Sequence, residues 1–243
     1  MLKAFDSGRL FGAVHGSGSA RVLALHGWRR TSADFGDTLA GLDAIAVDLP
    51  GFGASPPPPE PWGSAAYAAA LDPVLDDIGH PLVVLGHSFG GRVAVRLAVR
   101  RPDAVRALVL TGVPLLRTAP ARKAPAAFRV ARWLHHRGLL PDARMEALRQ
   151  RHGSADYRAA TGVMRDVFVR VVNETYDDDL RALACPVELV WGDDDTEAPL
   201  AVAQAAAERI GSATLTVVGG AGHLTPLTIP AELRAALDRA AGR

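Results

Sequence analysis

Six short apolar runs punctuate the chain, at residues 22–25, 44–47, 82–85, 107–110, 187–191 and 215–218. Each is built mostly of aliphatic or β-branched residues, the pattern of strands covered on both faces. Residues 65–78, 92–100, 201–210 and 231–241 instead repeat their apolar positions at helical spacing. Strand alternating with helix predicts the α/β class, with a mostly parallel central sheet flanked by helices on both faces. Residues 3–6 and 10–15, joined around Ser7 and Gly8, read as an opening hairpin.

The alternation stops between about Pro114 and Leu183. Three helical patterns occupy that stretch, at 120–136, 141–152 and 155–175, punctuated by Pro and Gly. An insertion this long cannot be a plain loop in a compact domain. It predicts a helical cap over residues 114–183, seated on a core made of residues 1–113 and 184–243. The proline tract at 56–59, with Pro61, reads as a stiff surface connector.

Composition narrows the class. The chain has 243 residues, 49% hydrophobic and 22% charged, ordinary for a globular protein that needs no staples. The formal net charge is +1, so no global field argues for nucleic acid or a membrane surface. The longest stretch without Asp, Glu, Lys or Arg runs from 210 to 231. It holds four glycines, two prolines and His223, so no membrane span is expected. A single cysteine, Cys185, excludes an intramolecular disulfide, and residues 1–10 lack the apolar core of a signal peptide. Together these predict a cytoplasmic protein.

The chemistry concentrates at Gly86-His87-Ser88-Phe89-Gly90, which follows the apolar run at 82–85 and opens a helical pattern. A serine on a sharp strand-to-helix turn projects its hydroxyl above the sheet, and only small residues fit two positions before and after it. Gly86 and Gly90 meet that demand. The helix beginning at Ser88 also aims its first amides at any negative charge that develops there. A glycine-rich turn with a capping serine is the plain alternative.

Four motifs in this order and spacing resemble the α/β-hydrolase fold family, in its small, capped, carboxylesterase-like serine-hydrolase form. They are LALHGW at 23–28, DLPGFGAS at 48–55, GHSFGG at 86–91, and WGDDD at 191–195 followed by GGAGH at 219–223. The resemblance implies a chain order of serine, acid, histidine. Of eight histidines, only His223 follows the last strand, in a glycine-rich loop able to reach Ser88. His87 should point away from the serine hydroxyl, and His26 reads as a loop organiser. His135 and His136 lack a carboxylate at clear ligand spacing, so no metal is expected, and no cofactor is implied.

In similar proteins the acid follows the pattern W-G-x-x-D, which points to Asp195, with Asp194 the main rival and Glu197 a distant third. The resemblance also implies an oxyanion hole formed by the backbone amides of Trp28 and Phe89, while the Trp28 indole lines the pocket or simply packs. Loop 48–55 reads as structural.

The catalytic set expected is therefore Ser88, Asp195 and His223, acting on a small-molecule acyl ester through an acyl-enzyme. The same constellation serves C–C bond hydrolases and lyases, and some members of the fold bind ligands with little turnover. Haloalkane dehalogenases and epoxide hydrolases use an aspartate nucleophile, and Ser88 argues against both. From Leu115 to Arg137 there are six basic residues (Arg117, Arg122, Lys123, Arg129, Arg132 and Arg137) and no acidic one. Such a run is ordinarily a solvated face; it also fits docking of an anionic or carrier-protein-bound acyl group. Phe128, Val130, Trp133, Leu134, Val163, Met164, Val167, Phe168 and Val171 form the apolar set expected to be cap core or pocket wall.

Overall fold

The structure is a computed structural model and describes residues 1–116, 126–152 and 154–242. Eight strands form one sheet: β1 Leu2–Phe5, β2 Leu10–His15, β3 Val22–Leu25, β4 Ala44–Asp48, β5 Leu82–His87, β6 Val105–Thr111, β7 Val187–Gly192 and β8 Ala213–Val218. Their spatial order is β1-β2-β4-β3-β5-β6-β7-β8. The β1–β2 hairpin joins antiparallel to β4, and every pairing from β4 to β8 is parallel. All six expected parallel strands and the hairpin are present, with ends that differ by a residue or two.

The period-2 pleat explains why the runs are apolar throughout. Leu23, Leu25, Ile45, Val47, Val84, Leu108 and Leu110 face one core. Their neighbours Val22, Ala24, Ala44, Ala46, Val83, Ala107 and Val109 face the other. The first face is covered by α1 (Ser64–Ala69), α2 (Asp72–Ile78), α3 (Phe89–Arg100) and, later in the chain, by helix 200–209. The second is covered by the turn at Ser32–Phe35 and the C-terminal helix. The second face is the alanine-rich one, so its covering elements approach closely. Each fully buried Leu or Val contributes roughly 1.5–3 kcal/mol relative to an exposed one.

Between β6 and β7 the described chain is helical: α4 Ala126–His136, α5 Asp142–His152, α6 Ala155–Ala159, α7 Gly162–Val172 and α8 Asp177–Ala182. The helix expected at 120–136 is described only from Ala126, and 120–125 lie outside the described residues. The pattern at 155–175 is two helices, because Ala160 is extended and Gly162 has φ 52°. The single helix expected at 65–78 also divides, into α1 and α2. Pro73 removes a backbone N–H and crowds the residue before it, so a continuous helix is disfavoured there. The chain finishes with α9 Leu200–Arg209, α10 Thr225–Thr228 and α11 Pro230–Ala240. Helices α8 and α10 are too short to stand out from the sequence pattern.

Candidate active site

Ser88 stands at the C-terminal end of β5, where the chain turns sharply into α3. Its backbone lies at φ 49°, ψ −114°, a region that a non-glycine residue occupies only under constraint. The constraint is local and identifiable. The Ser88 amide donates to Thr111 O on β6 (3.0 Å), and Ser88 O accepts from Gly91 N (3.0 Å). A Cβ on Gly86 would stand 2.5 Å from Gly91 Cα, and one on Gly90 would overlap Leu25 O. The two small residues expected around the serine are therefore obligatory.

His223 arrives on the loop between β8 and α10. The Ser88 hydroxyl lies 3.0 Å from His223 Nε2, and His223 Nδ1 lies 2.8 Å from Asp195 Oδ2 and 3.0 Å from Oδ1. A carboxylate only accepts, so Nδ1 carries the proton and Nε2 is free to accept from the serine. Asp195 sits just after β7 with its side chain fully buried. Its Oδ1 also accepts from the amides of Glu197 (2.9 Å) and Ala198 (2.8 Å). Burial opposes its ionisation, but these donors and His223 outweigh that and hold the carboxyl below its ordinary value. Burial also opposes protonation of His223. The bond to Asp195, its charge, and the charges of Glu197 and Asp156 outweigh it, so His223 lies above its ordinary value.

Of the three consecutive aspartates, only Asp195 turns inward. Asp193 and Asp194 are exposed, and Asp193 accepts from Gly220 N (2.7 Å), tying down the histidine loop. Glu197 Oε2 lies 3.5 Å from His223 Nε2, on the serine side of the ring, so it is no orienter of Nδ1.

Other groups at the site were not legible in the sequence. His87 Nε2 donates to the backbone oxygen of His223 (2.9 Å), 136 residues away. Burial, with His223 beside it, holds His87 down to about 4, so it is neutral. Thr225 N donates to the same oxygen (2.9 Å), and Thr111 Oγ1 donates to Thr225 Oγ1 (2.7 Å). Gly112, at φ 57°, gives the triad room: a Cβ there would come within 3.2 Å of the His223 ring. No local sequence signal marks any of these.

His26 organises its loop as expected. Its Nδ1 donates to Gly27 O (2.7 Å), and its Nε2 accepts from Leu49 N (2.9 Å). Loop 48–55 is held by Asp48, whose carboxylate accepts from Ser32 N (2.7 Å) and Ala54 N (2.9 Å). Among the described residues, neither the Trp28 nor the Phe89 amide has a hydrogen-bond acceptor. The Trp28 ring both packs and lines space, with centroids 5.0 Å from Phe52, 5.4 Å from Phe89 and 5.1 Å from Phe168.

Two pockets meet at Ser88 and His223. One, of about 190 Å³, has apolar walls of Trp28, Phe89, Phe168, Val171 and Val172. The other, of about 290 Å³, is polar and bounded by Arg29, Arg30, Asp156 and Glu197. An Arg29–Asp156 ion pair (3.4 Å) reaches from α6 to the loop after β3 across this mouth. Part of the expected apolar set lies elsewhere. Val130 and Trp133 are exposed because they share the outward face of α4 with Arg129 and Arg132. His135 does have a carboxylate neighbour, Asp142 at 2.7 Å, contrary to expectation. Among the described residues no group of three potential ligands could hold a metal ion, and no helix is long and apolar enough to cross a membrane.

Comparison with known proteins agrees with this architecture. The chain is 46% identical over 102 residues to lipase LipV of Mycobacterium tuberculosis, a match covering 39% of this chain and 37% of LipV. It is 42% identical over 95 residues to a pimeloyl-[acyl-carrier protein] methyl ester esterase of Neisseria meningitidis, covering 37% of this chain and 36% of that protein. These two matches thus span little more than a third of the relatives' lengths. A 2-hydroxymuconate semialdehyde hydrolase of Pseudomonas putida is 31% identical over 243 residues, covering 91% of this chain and 84% of that one. The model of the alpha/beta hydrolase family matches residues 22–236, and with the eight-stranded sheet and the serine turn it establishes that the chain belongs to the alpha/beta hydrolase family.

Proposed function

We propose that this alpha/beta hydrolase cleaves carboxylic esters through an acyl-enzyme on Ser88. The observation that carries the proposal is the unbroken run Asp195–His223–Ser88, with distances of 2.8 and 3.0 Å, ending on a serine in a constrained turn. In this reading Ser88 Oγ attacks the ester carbonyl carbon while His223 Nε2 takes its proton. Asp195 fixes the imidazole tautomer and stabilises the cation that forms. The carbonyl π electrons move onto oxygen, and the unpartnered amides of Trp28 and Phe89 donate hydrogen bonds to the oxyanion. Each such donor is worth roughly 2.7–4 kcal/mol in the transition state. Collapse expels the alcohol, which leaves with the proton from His223. Water, deprotonated by His223, then attacks the acyl carbon and releases the acid and Ser88.

The same proposal makes residues 1–113 and 184–243 the catalytic core and residues 114–183 a helical cap that supplies the apolar wall through Phe168, Val171 and Val172. Substrates are small-molecule acyl esters. Arg129 and Arg132, exposed on α4, together with the pimeloyl-carrier-protein esterase relative, support an anionic or carrier-protein-bound acyl group as an extension of that class. Arg122 and Lys123 lie outside the described residues. The single Cys185, half-buried and free, supports a reducing cytoplasmic setting.

A C–C bond hydrolase is the second reading, favoured by the long match to 2-hydroxymuconate semialdehyde hydrolase. Mass spectrometry during turnover separates the two. An aryl ester of a short acid should leave Ser88 carrying that acyl group and release product at a steady rate. Turnover of a vinylogous 1,5-diketone with inert esters would favour C–C cleavage. Tight ligand binding without turnover of either would favour a binding protein.

A further inference from the structure

The apolar pocket beside Ser88 has one buried cationic side chain in its lining, that of Arg92. Arg92 lies four residues after Ser88 on α3 and is 8% exposed. Its guanidinium is held by backbone oxygens from two separate segments. Nε and Nη2 donate to Pro114 O (3.2 and 2.8 Å), and Nη1 donates to Val171 O (2.7 Å). It also lies over the Tyr176 ring, 5.6 Å from the centroid. Behind it is another cavity of about 230 Å³, bounded by Leu115, Leu116, Glu174 and Asp177 among others. Arg92, Pro114 and Val172 line both that cavity and the 190 Å³ pocket that opens on Ser88. The two spaces therefore abut on either side of these three residues.

We infer that Arg92, with Val172, is a chain-length determinant: it ends the acyl pocket and selects short acyl groups. This rests on the esterase reading and names its substrate class. The physical case has two parts. A guanidinium bonded to carbonyls on two segments gives up three hydrogen bonds if it swings aside. An acyl chain long enough to reach it would press an apolar terminus against a desolvated charge, which is unfavourable. A smaller side chain at the same position opens the wall and adds the second cavity to the first. That second cavity is largely polar, with Leu115 and Leu116 its apolar part, and each methylene buried against these two gains up to about fourfold in affinity.

The test uses aryl esters from acetate to decanoate, alongside fluorophosphonates bearing short and long alkyl chains, which report on Ser88 without turnover. Wild type should favour short chains in both series. Arg92→Ala should raise the octanoate-to-butyrate ratio of kcat/KM by at least about tenfold, chiefly through KM, and raise long-probe labelling relative to short. Because Arg92→Ala removes a carbonyl clamp, Val172→Ala serves as the second variant. It trims the same wall with the guanidinium in place and should shift the ratio in the same direction by a smaller factor. Two folded variants with the wild-type chain-length profile would overturn the inference while leaving the esterase reading intact. A wild-type preference for esters with a terminal carboxylate, lost in Arg92→Ala, would also overturn it, since Arg92 would then be reading the tail. Wild type labelled by no probe would instead overturn the esterase reading, and this inference with it.

Discussion

The strand-end region and the helices between β6 and β7 are built on different principles. At the strand ends the segments that carry Ser88, Asp195 and His223 are held by backbone hydrogen bonds. Asp195 accepts from two amides as well as His223, and the His223 oxygen accepts from His87 and Thr225. Ser88 is locked between β6 and α3. In α4 and α5, by contrast, the only buried described side chains are Ala131 and Met145, and Val130, Trp133 and the neighbouring Leu139 stand in solvent. Reaction geometry needs tolerances of fractions of an ångström. The lightly packed helices can thus vary in sequence and open locally without disturbing the chemistry.

The sharpest way to break this contrast lies among the three aspartates. Asp195→Asn should lower kcat by roughly 10⁴, because an amide at that position stabilises the wrong histidine tautomer. Asp194→Asn should leave most activity, as its side chain is exposed. Reversal of the two would shift the acid by one residue. In stability the two regions should separate just as clearly. Leu108→Ala, at a position with no exposure, should cost about 2–5 kcal/mol in denaturant unfolding. Trp133→Ser, half exposed with Arg137 stacked 4.2 Å from its ring, should cost no more than about 1 kcal/mol. Equal losses would show the α4 packing to be as tight as the sheet.

Smaller effects should appear in the pH profile. His223 is raised above its ordinary 6.5, and in the proposed mechanism it acts only when neutral. Activity should therefore fall as pH drops through a midpoint above 6.5. The sign for stability is opposite. A raised histidine stabilises the fold below its unfolded value, and that contribution is lost as pH rises through the folded one. Glu197 is among the groups that raise His223, so Glu197→Gln should move the acid limb to lower pH. The shift should be modest, because the Glu197 side chain is 68% exposed. An unmoved limb would exclude Glu197 from the electrostatics of the site. Smallest of all, Arg129→Gln with Arg132→Gln should raise KM for anionic or carrier-protein esters by a few-fold at low salt, and leave neutral esters unchanged. Equal changes for both would make α4 an ordinary solvated face.

The division between the regions also decided what could be read from sequence. The strands and the serine turn were legible because their causes are local: apolar runs, and glycines where a Cβ cannot fit. The choice of Asp195 among Asp193, Asp194 and Asp195 comes from the W-G-x-x-D resemblance and not from the residues' own chemistry, since three adjacent aspartates are chemically alike. The amides of Glu197 and Ala198 draw that one carboxylate inward. His87 was read only as turned away, because its acceptor arrives from 136 residues downstream. The helical pattern at 155–175 gave no sign of its break, since the positive φ of Gly162 overrides apolar spacing that would otherwise continue. Val130 and Trp133 read as cap core or pocket wall but are exposed, because amphipathic spacing marks a face without saying what covers it.

The central claim is that Ser88 is a nucleophile activated by His223. The most direct test is peptide mapping after reaction with a fluorophosphonate probe. The account predicts a single modified peptide carrying the phosphonyl group on Ser88, no labelling of Ser88→Ala, and greatly slowed labelling of His223→Ala. Labelling of Ser88→Ala at the wild-type rate would contradict it.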